Sequence, residues 1–277
     1  MKLQQFPKEF DNEMLFNEKE EVICVIEDSP LDDISFCKNI HFFEEVSSTN
    51  DVAKELASEG APEWTTVVAE KQFNGRGRFG RKWVSPKGGL WFSLVLRPKI
   101  NINEAFKLTS LTAVSIVNTL EKDYQIKAKI KWPNDIFVNG KKVCGVLTET
   151  ASTDQVLDYV IIGIGINANN ALRSLPDELQ NNTTSLMVEK GEEIDTKLFL
   201  TKLLLHMEGY YRDPVKLDKV IGEWKRLDSV LGKKVIVSEG NESFTGEAVD
   251  VDDLGALIVK LSDGSVKRVT SASISLG

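Results

Sequence analysis

The dipeptide Asn139-Gly140 constrains the fold of this chain more than any other pair of residues. It separates two β-branched, apolar runs, "IFV" and "KKVCGVL", and an Asn-Gly pair occupies the two positive-φ positions of a type I′ turn with little strain. The flanking runs are therefore predicted to be antiparallel neighbours in one sheet. Parallel βαβ repeats contain no such hairpin, so hairpins mixed with helices predict an α+β sheet domain. "TTVVAEKQ", "GGLWFSLVLRP" (closed by Pro98) and "YVIIGIGINAN" read as further strands. "SSTNDVAKELASEG" reads as a helix begun by Ser48, Thr49 or Asn50 and stopped at Gly60. "NINEAFKLTSLTAVSIVNTLEK" has Ala105, Leu108, Leu111, Ala113, Ile116 and Leu120 at helical spacing, with Asn103 as its cap, and "TKLLLHMEGYY" continues a helix capped near Asp195. From about Leu231 short strands alternate with turn signals, the texture of a small all-β barrel. The expected division is an acidic N-terminal extension over 1–35, an α+β sheet domain over 36–229 and a β-barrel domain over 230–277.

The net charge of −8 is unevenly spread. Residues 1–35 hold ten acids against three bases, whereas residues 71–103 hold eight bases and no acid. A basic segment inside an acidic protein suggests an anionic ligand, while polymer-binding proteins usually show a broad basic face. Three cysteines with no C-x-x-C pair indicate neither a disulfide framework nor a zinc site. His41 and His206 alone cannot supply a histidine metal cluster, and His41 in "IHFFEEV" reads as structural. No apolar run is long enough to span a bilayer and the start lacks a secretory signal, so a cytoplasmic protein is expected.

The basic segment centres on "NGRGRFGRKW", residues 74–83. Its G-x-G-x-x-G spacing suits a dinucleotide turn, but that turn needs a following helix and an acid about twenty positions on. Instead Pro86, Gly88 and Gly89 follow, and no acid occurs before Glu104. A nucleic-acid-binding reading has arginines and an aromatic in its favour, yet there is one such segment and no basic face beyond it. The third reading is a mobile loop closing over a small anionic ligand, with glycines for close approach and arginines for phosphate or carboxylate. "KWPND", residues 131–135, places a lysine, an amide and a carboxylate at one strand end, a set suited to phosphate and ribose. By alternation Lys142 and Gly145 point to opposite strand faces, so a shared ligand would require backbone contact or a bulge. "GIGIN" puts Gly163 and Gly165 inside a strand, where glycine pays only if something lies close. The chain has no P-loop, so any ATP is bound another way.

In order and spacing, "SSTN", "GRGRFGRKW", "KWPND", "KKVCGVL" and "GIGIN" closely resemble the biotin–protein ligases over about residues 40–277. The resemblance implies a mixed β-sheet flanked by helices, related to class II synthetase domains, with a small C-terminal SH3-like β-barrel. It implies activation of biotin by ATP to biotinyl-AMP, then transfer to a lysine of a biotin carboxyl carrier protein. Ser48, Thr49 and Gln72 would meet biotin's ureido end; Gly75, Arg76, Arg78, Lys142, Gly145 and Gly163 would line its chain and carboxylate. Lys131, Asn134, Arg81 and Asn167, together with Arg78, would meet the nucleotide, with Trp83 near the adenine. Catalysis would fall to Lys142, Arg78 and Lys131, with Lys142 bridging carboxylate and phosphate. Mg²⁺ is expected with ATP, and Asp135 alone is a poor ligand for it. The acidic extension replaces the DNA-binding domain of many bacterial members, so no specific DNA binding is expected. A homodimer through a sheet edge rests on family analogy. The nearest rival is a lipoate or octanoate ligase or transferase using Cys144 as an acyl-accepting thiol.

Overall fold

Asn139 and Gly140 take φ of 49° and 77°, and the turn they make joins two strands of an eight-stranded sheet. The computed structural model describes residues 21–22, 39–240 and 242–276. Most of the acidic extension, with Cys24 and Cys37, lies outside the described residues. The sheet contains β1 (Glu21–Val22), β2 (Ile40–Val46), β3 (Thr66–Gln72), β4 (Leu90–Leu96), β5 (Lys129–Lys131), β6 (Asp135–Val138), β7 (Lys141–Thr153) and β8 (Val156–Ile166). Its order is β1-β2-β3-β4-β8-β7-β6-β5, with β2 and β3 parallel and every other pair antiparallel.

Strand β4, "LWFSLVL", is buried at every position because helices cover both faces. On one face α1 (Thr49–Ser58) packs Val52, Ala53 and Ala57 against Val67, Ala69, Val95 and Ile161. On the other, α2 (Ala105–Asn118) lies between the sheet and two later helices, α5 (Thr196–Tyr211) and α6 (Pro214–Leu227). Leu108, Leu111 and Ile116 of α2 are fully buried there, each contributing about 1.5–3 kcal/mol by leaving water. Two short helices, α3 (Asp177–Gln180) and α4 (Leu186–Lys190), occupy the connection from β8 to α5. No described helix is long and apolar enough to cross a membrane.

Three local readings change. The cap before α2 is Asn101 and not Asn103: its side chain accepts from the Asn103 N–H at 3.0 Å, closing a capping box with Glu104 ahead of the helix. Sequence reading passed over α6, although Asp213 caps it, Pro214 opens it, and Val220, Ile221 and Trp224 form its buried face. The C-terminal domain is not a closed barrel. Its strands β9 (Lys234–Glu239), β10 (Glu242–Val251), β11 (Leu257–Lys260), β12 (Val266–Val269) and β13 (Ser273–Leu276) form an antiparallel sheet in the order β12-β11-β10-β9-β13. Closure would need β12 and β13, four residues each, to pair across residues 270–272. That turn instead faces the sheet domain, where Ala272 and the start of β13 line a cavity.

The two sheets are joined beside β5. Trp132, 2% exposed, donates from Nε1 to the Gly255 carbonyl at 3.0 Å, while its backbone N–H donates to Asp228 Oδ2 at 3.0 Å. Asp228 also accepts from the N–H groups of Val230 and Leu231 at 2.7 and 2.8 Å. Burial raises the Asp228 pKa, with these donors opposing the shift. The strand end carrying "KWPND" is therefore fixed to the C-terminal sheet through its tryptophan.

Candidate active site

A cavity of about 380 Å³ opens over the sheet between α1, the strand ends of β5–β8 and the C-terminal turn. Of the residues singled out from sequence, Ser48, Thr49, Gln72, Arg76, Arg78, Arg81, Trp83, Lys131, Asn134, Lys142, Gly145, Gly163 and Asn167 line it. Gly75 does not. A Cβ there would stand 2.6 Å from the Trp83 carbonyl and 2.9 Å from Ser85 Oγ, so the glycine permits a tight turn beneath the rim.

At one end the groups are polar and neutral. Ser48 is the N-cap of α1 but makes no side-chain capping bond. The Thr49 N–H and hydroxyl both donate to Gln72 Oε1, at 2.8 and 3.1 Å, and Gln72 Nε2 donates to Ser85 Oγ at 2.8 Å. Beneath them Ser93 Oγ lies 2.7 Å from Thr49 Oγ1 and 2.6 Å from Asn50 Oδ1, and Asn50 Nδ2 donates to Glu149 at 2.5 Å. Ser93 and Glu149 were not singled out from sequence, and Asn50 only as a candidate helix cap. The signal lay in Gly163: a Cβ on it would stand 2.0 Å from Asn50 Oδ1, so this strand glycine makes room for Asn50.

Arg76 has a partner of its own. Its Nη1 and Nη2 donate to the two Asp51 oxygens at 2.6 Å each, a bidentate pair that raises the arginine pKa. The pair ties the start of the basic segment to α1, and Arg76 lines the cavity from that position.

At the other end, lysines sit on the strand ends. A bulge in β7, where Ile136 pairs with Cys144 but Phe137 with Lys142, takes Val143 out of register. The bulge brings Lys142 and Gly145 to the same face, as a shared cavity requires. Lys142 Nζ lies 2.7 Å from Asp135 Oδ1 and 4.9 Å from the Trp83 ring. Lys131 stands over Phe137 at 5.1 Å; burial lowers its pKa, Asp135 opposes that shift, and Lys142 adds to it. Asn134 is held by a bond from its Nδ2 to the Val146 carbonyl. Trp83 lies flat against the floor, where Cβ atoms on Gly145 and Gly165 would meet its ring at 3.0 and 2.4 Å. Its Nε1–H is buried there without a partner.

The basic segment expected as a mobile loop is a narrow hairpin extending from β3. Gln72 N–H donates to Ser85 O at 3.2 Å, Trp83 N–H to Gly75 O at 2.8 Å and Gly77 N–H to Arg81 O at 2.7 Å. At its tip Arg78 Nη2 donates to Ser271 Oγ at 2.9 Å, and Arg81 Nη2 to Ser273 Oγ at 2.5 Å. Burial lowers the Arg78 pKa, with Asp135 opposing and Arg81 reinforcing the shift. Cys144 is wholly buried on the far side of the sheet, and burial pushes its thiol pKa up, so it offers the cavity no thiolate.

Residues 42–167 match the model of the biotin/lipoate A/B protein ligase family, and residues 230–277 that of the biotin protein ligase C-terminal domain. The biotin–[acetyl-CoA-carboxylase] ligase of Paracoccus denitrificans is 33% identical over 77% of this chain and 90% of its own. This chain is a biotin protein ligase family member. The bifunctional ligase/repressor of Bacillus subtilis is 41% identical over 87% of this chain and 74% of its own length. The solved biotin protein ligase of Aquifex aeolicus in complex with biotin and ATP is 32% identical, with a TM-score of 0.70, and matches across 87% of this chain and 99% of that one. The family match therefore spans both the sheet domain that carries the cavity and the β domain that closes one side of it.

Proposed function

We propose that this protein activates biotin with ATP, releasing pyrophosphate, and passes the biotinyl group from the adenylate to a lysine of a biotin carboxyl carrier protein. The observation that carries this reading is the polarity of the cavity: a neutral hydrogen-bonding end at Ser48, Thr49 and Gln72, and a cationic end at Lys131, Lys142, Arg78 and Arg81. From β3, which carries Gln72, to β7, which carries Lys142, the path crosses β4 and β8. Three strand spacings make roughly 14 Å, enough for a fused ring and an acyl chain that ends in a carboxylate.

Joining a carboxylate to an α-phosphate brings two anions together. Lys142 bridges them in this reading, and Lys131 and the arginines hold the remaining phosphate charge. The orphan Trp83 N–H marks a floor suited to a planar group, consistent with adenine beside Trp83 and its ribose near Asn134 and Asn167. Mg²⁺ would neutralise phosphate charge when bound. Asp135 is the nearby carboxylate that could hold it, though among the described residues no group of three His, Cys, Asp or Glu is placed to bind a metal. The setting proposed is the cytoplasm. A homodimer would use a sheet edge, and the described edges, β1 of two residues and β5 of three, are short. The lipoyl or octanoyl transferase alternative loses support because Cys144 is buried away from Lys142.

ATP–pyrophosphate exchange, run with biotin, lipoate, octanoate and no acid, tests the proposal. Exchange with biotin alone is expected. Exchange with lipoate or octanoate in its place would change the substrate, and exchange with none of them would remove the ligase activity.

A further inference from the structure

Phe79 is the residue of the hairpin that the site leaves unexplained. It lies at the tip with φ 61° and ψ 28°, and it is 58% exposed. A bulky L residue is strained in the left-handed region, and the next residue, Gly80 with φ 67°, is the type that suits it. Core packing does not compensate, since most of the ring faces solvent. Its neighbours do. The guanidinium carbon of Arg78 stands 4.9 Å from the ring centroid and that of Arg81 5.6 Å. Two arginines this close repel one another, and an aromatic ring offers both cations a negative face. Arg78 is further fixed by the Trp132 ring at 5.9 Å and by Ser271, and Arg81 by Ser273.

We propose that Phe79 is a positioning residue: its ring holds Arg78 and Arg81 as a pair facing the cationic end of the cavity, so that both address the nucleotide phosphates. The left-handed backbone keeps the ring centroid 4.9 and 5.6 Å from the two guanidinium carbons. The ring itself touches no reacting atom. This assignment rests on the reading that the cavity binds ATP, so its test separates binding from chemistry.

The full chain is titrated calorimetrically with α,β-methylene-ATP, which cannot release pyrophosphate, in the presence of biotin. Wild type, Phe79→Gly and Phe79→Tyr are compared, with thermal midpoints measured alongside. Glycine accepts the positive φ, so Phe79→Gly should keep or raise the midpoint while its nucleotide Kd rises about tenfold, and Phe79→Tyr should stay within about twofold of wild type. Wild-type affinity in Phe79→Gly overturns the assignment. So does an equal loss in both variants with lowered midpoints, which is the mark of a merely structural residue. A wild type that does not bind the analogue overturns it together with the ATP reading. Normal analogue binding without biotin-dependent exchange overturns only the ligase reading, and the Phe79 assignment is then decided by the two variants.

Discussion

The floor of the cavity and the hairpin above it present cations of similar charge on very different supports. Lys131 and Lys142 stand on β5 and β7, whose backbones are fixed by the sheet and whose positions depend on a bulge and a tryptophan anchor. Arg78 and Arg81 stand on a turn whose outward links are hydrogen bonds to Ser271, in the turn before β13, and Ser273, at its start, with one ring contact from Arg78 to Trp132. A group that must meet a transition state belongs on a rigid element, whereas a group that admits a substrate and then retains an intermediate belongs on one whose contacts can be exchanged. On the proposed function, the difference suits the floor to bond formation and the hairpin to retention of the adenylate.

The comparison breaks most visibly at Lys142. Lys142→Ala is expected to slow single-turnover adenylate formation by roughly 10²–10³-fold, the range for losing one preorganised electrostatic group, as followed by rapid quench. A near-normal rate would remove Lys142 from the chemistry. Gly165→Ala puts a methyl where the Trp83 ring lies, 2.4 Å from Nε1, and overpacking of that kind corresponds to about a tenfold or greater loss of nucleotide affinity by titration. Wild-type affinity would mean that Trp83 leaves the floor freely. The double variant Ser271→Ala, Ser273→Ala should leave the adenylation rate within about threefold of wild type but speed adenylate escape, since each exposed hydrogen bond is worth only about 1 kcal/mol. Smallest is Trp132→Phe. Losing the bond to the Gly255 carbonyl should lower stability by about 1–2 kcal/mol in denaturant unfolding, with the ring's packing kept.

The same contrast explains what was legible in the sequence. The floor could be read because glycines inside strands and a lysine beside a hairpin are local signals; Lys142, Gly145 and Gly163 reach the cavity as their motifs imply. What each glycine accommodates was not legible. Gly163 admits Asn50 from 113 positions earlier in the chain, and Gly145 and Gly165 admit Trp83. Such contacts depend on how α1 and the hairpin settle on the sheet. Arg76 reads from sequence as a substrate contact; its pairing with Asp51 was not legible, because that partner is invisible until α1 is placed beside the hairpin. Likewise the open end of the C-terminal sheet is set by docking: alternating short strands and turns are legible after Leu231, but β13 was not read, and the turn at 270–272 before it serves the cavity and does not close a barrel.

The most direct test of the division between floor and hairpin is to mix the protein with ATP and biotin and separate protein-bound from free biotinyl-AMP by rapid gel filtration. Wild type, Arg78→Gly and Lys142→Ala are run side by side. With floor and hairpin so divided, the adenylate should stay with the wild type, form but appear in the free fraction with Arg78→Gly, and be nearly absent with Lys142→Ala. Retention by Arg78→Gly equal to wild type, or normal formation by Lys142→Ala, would contradict that division.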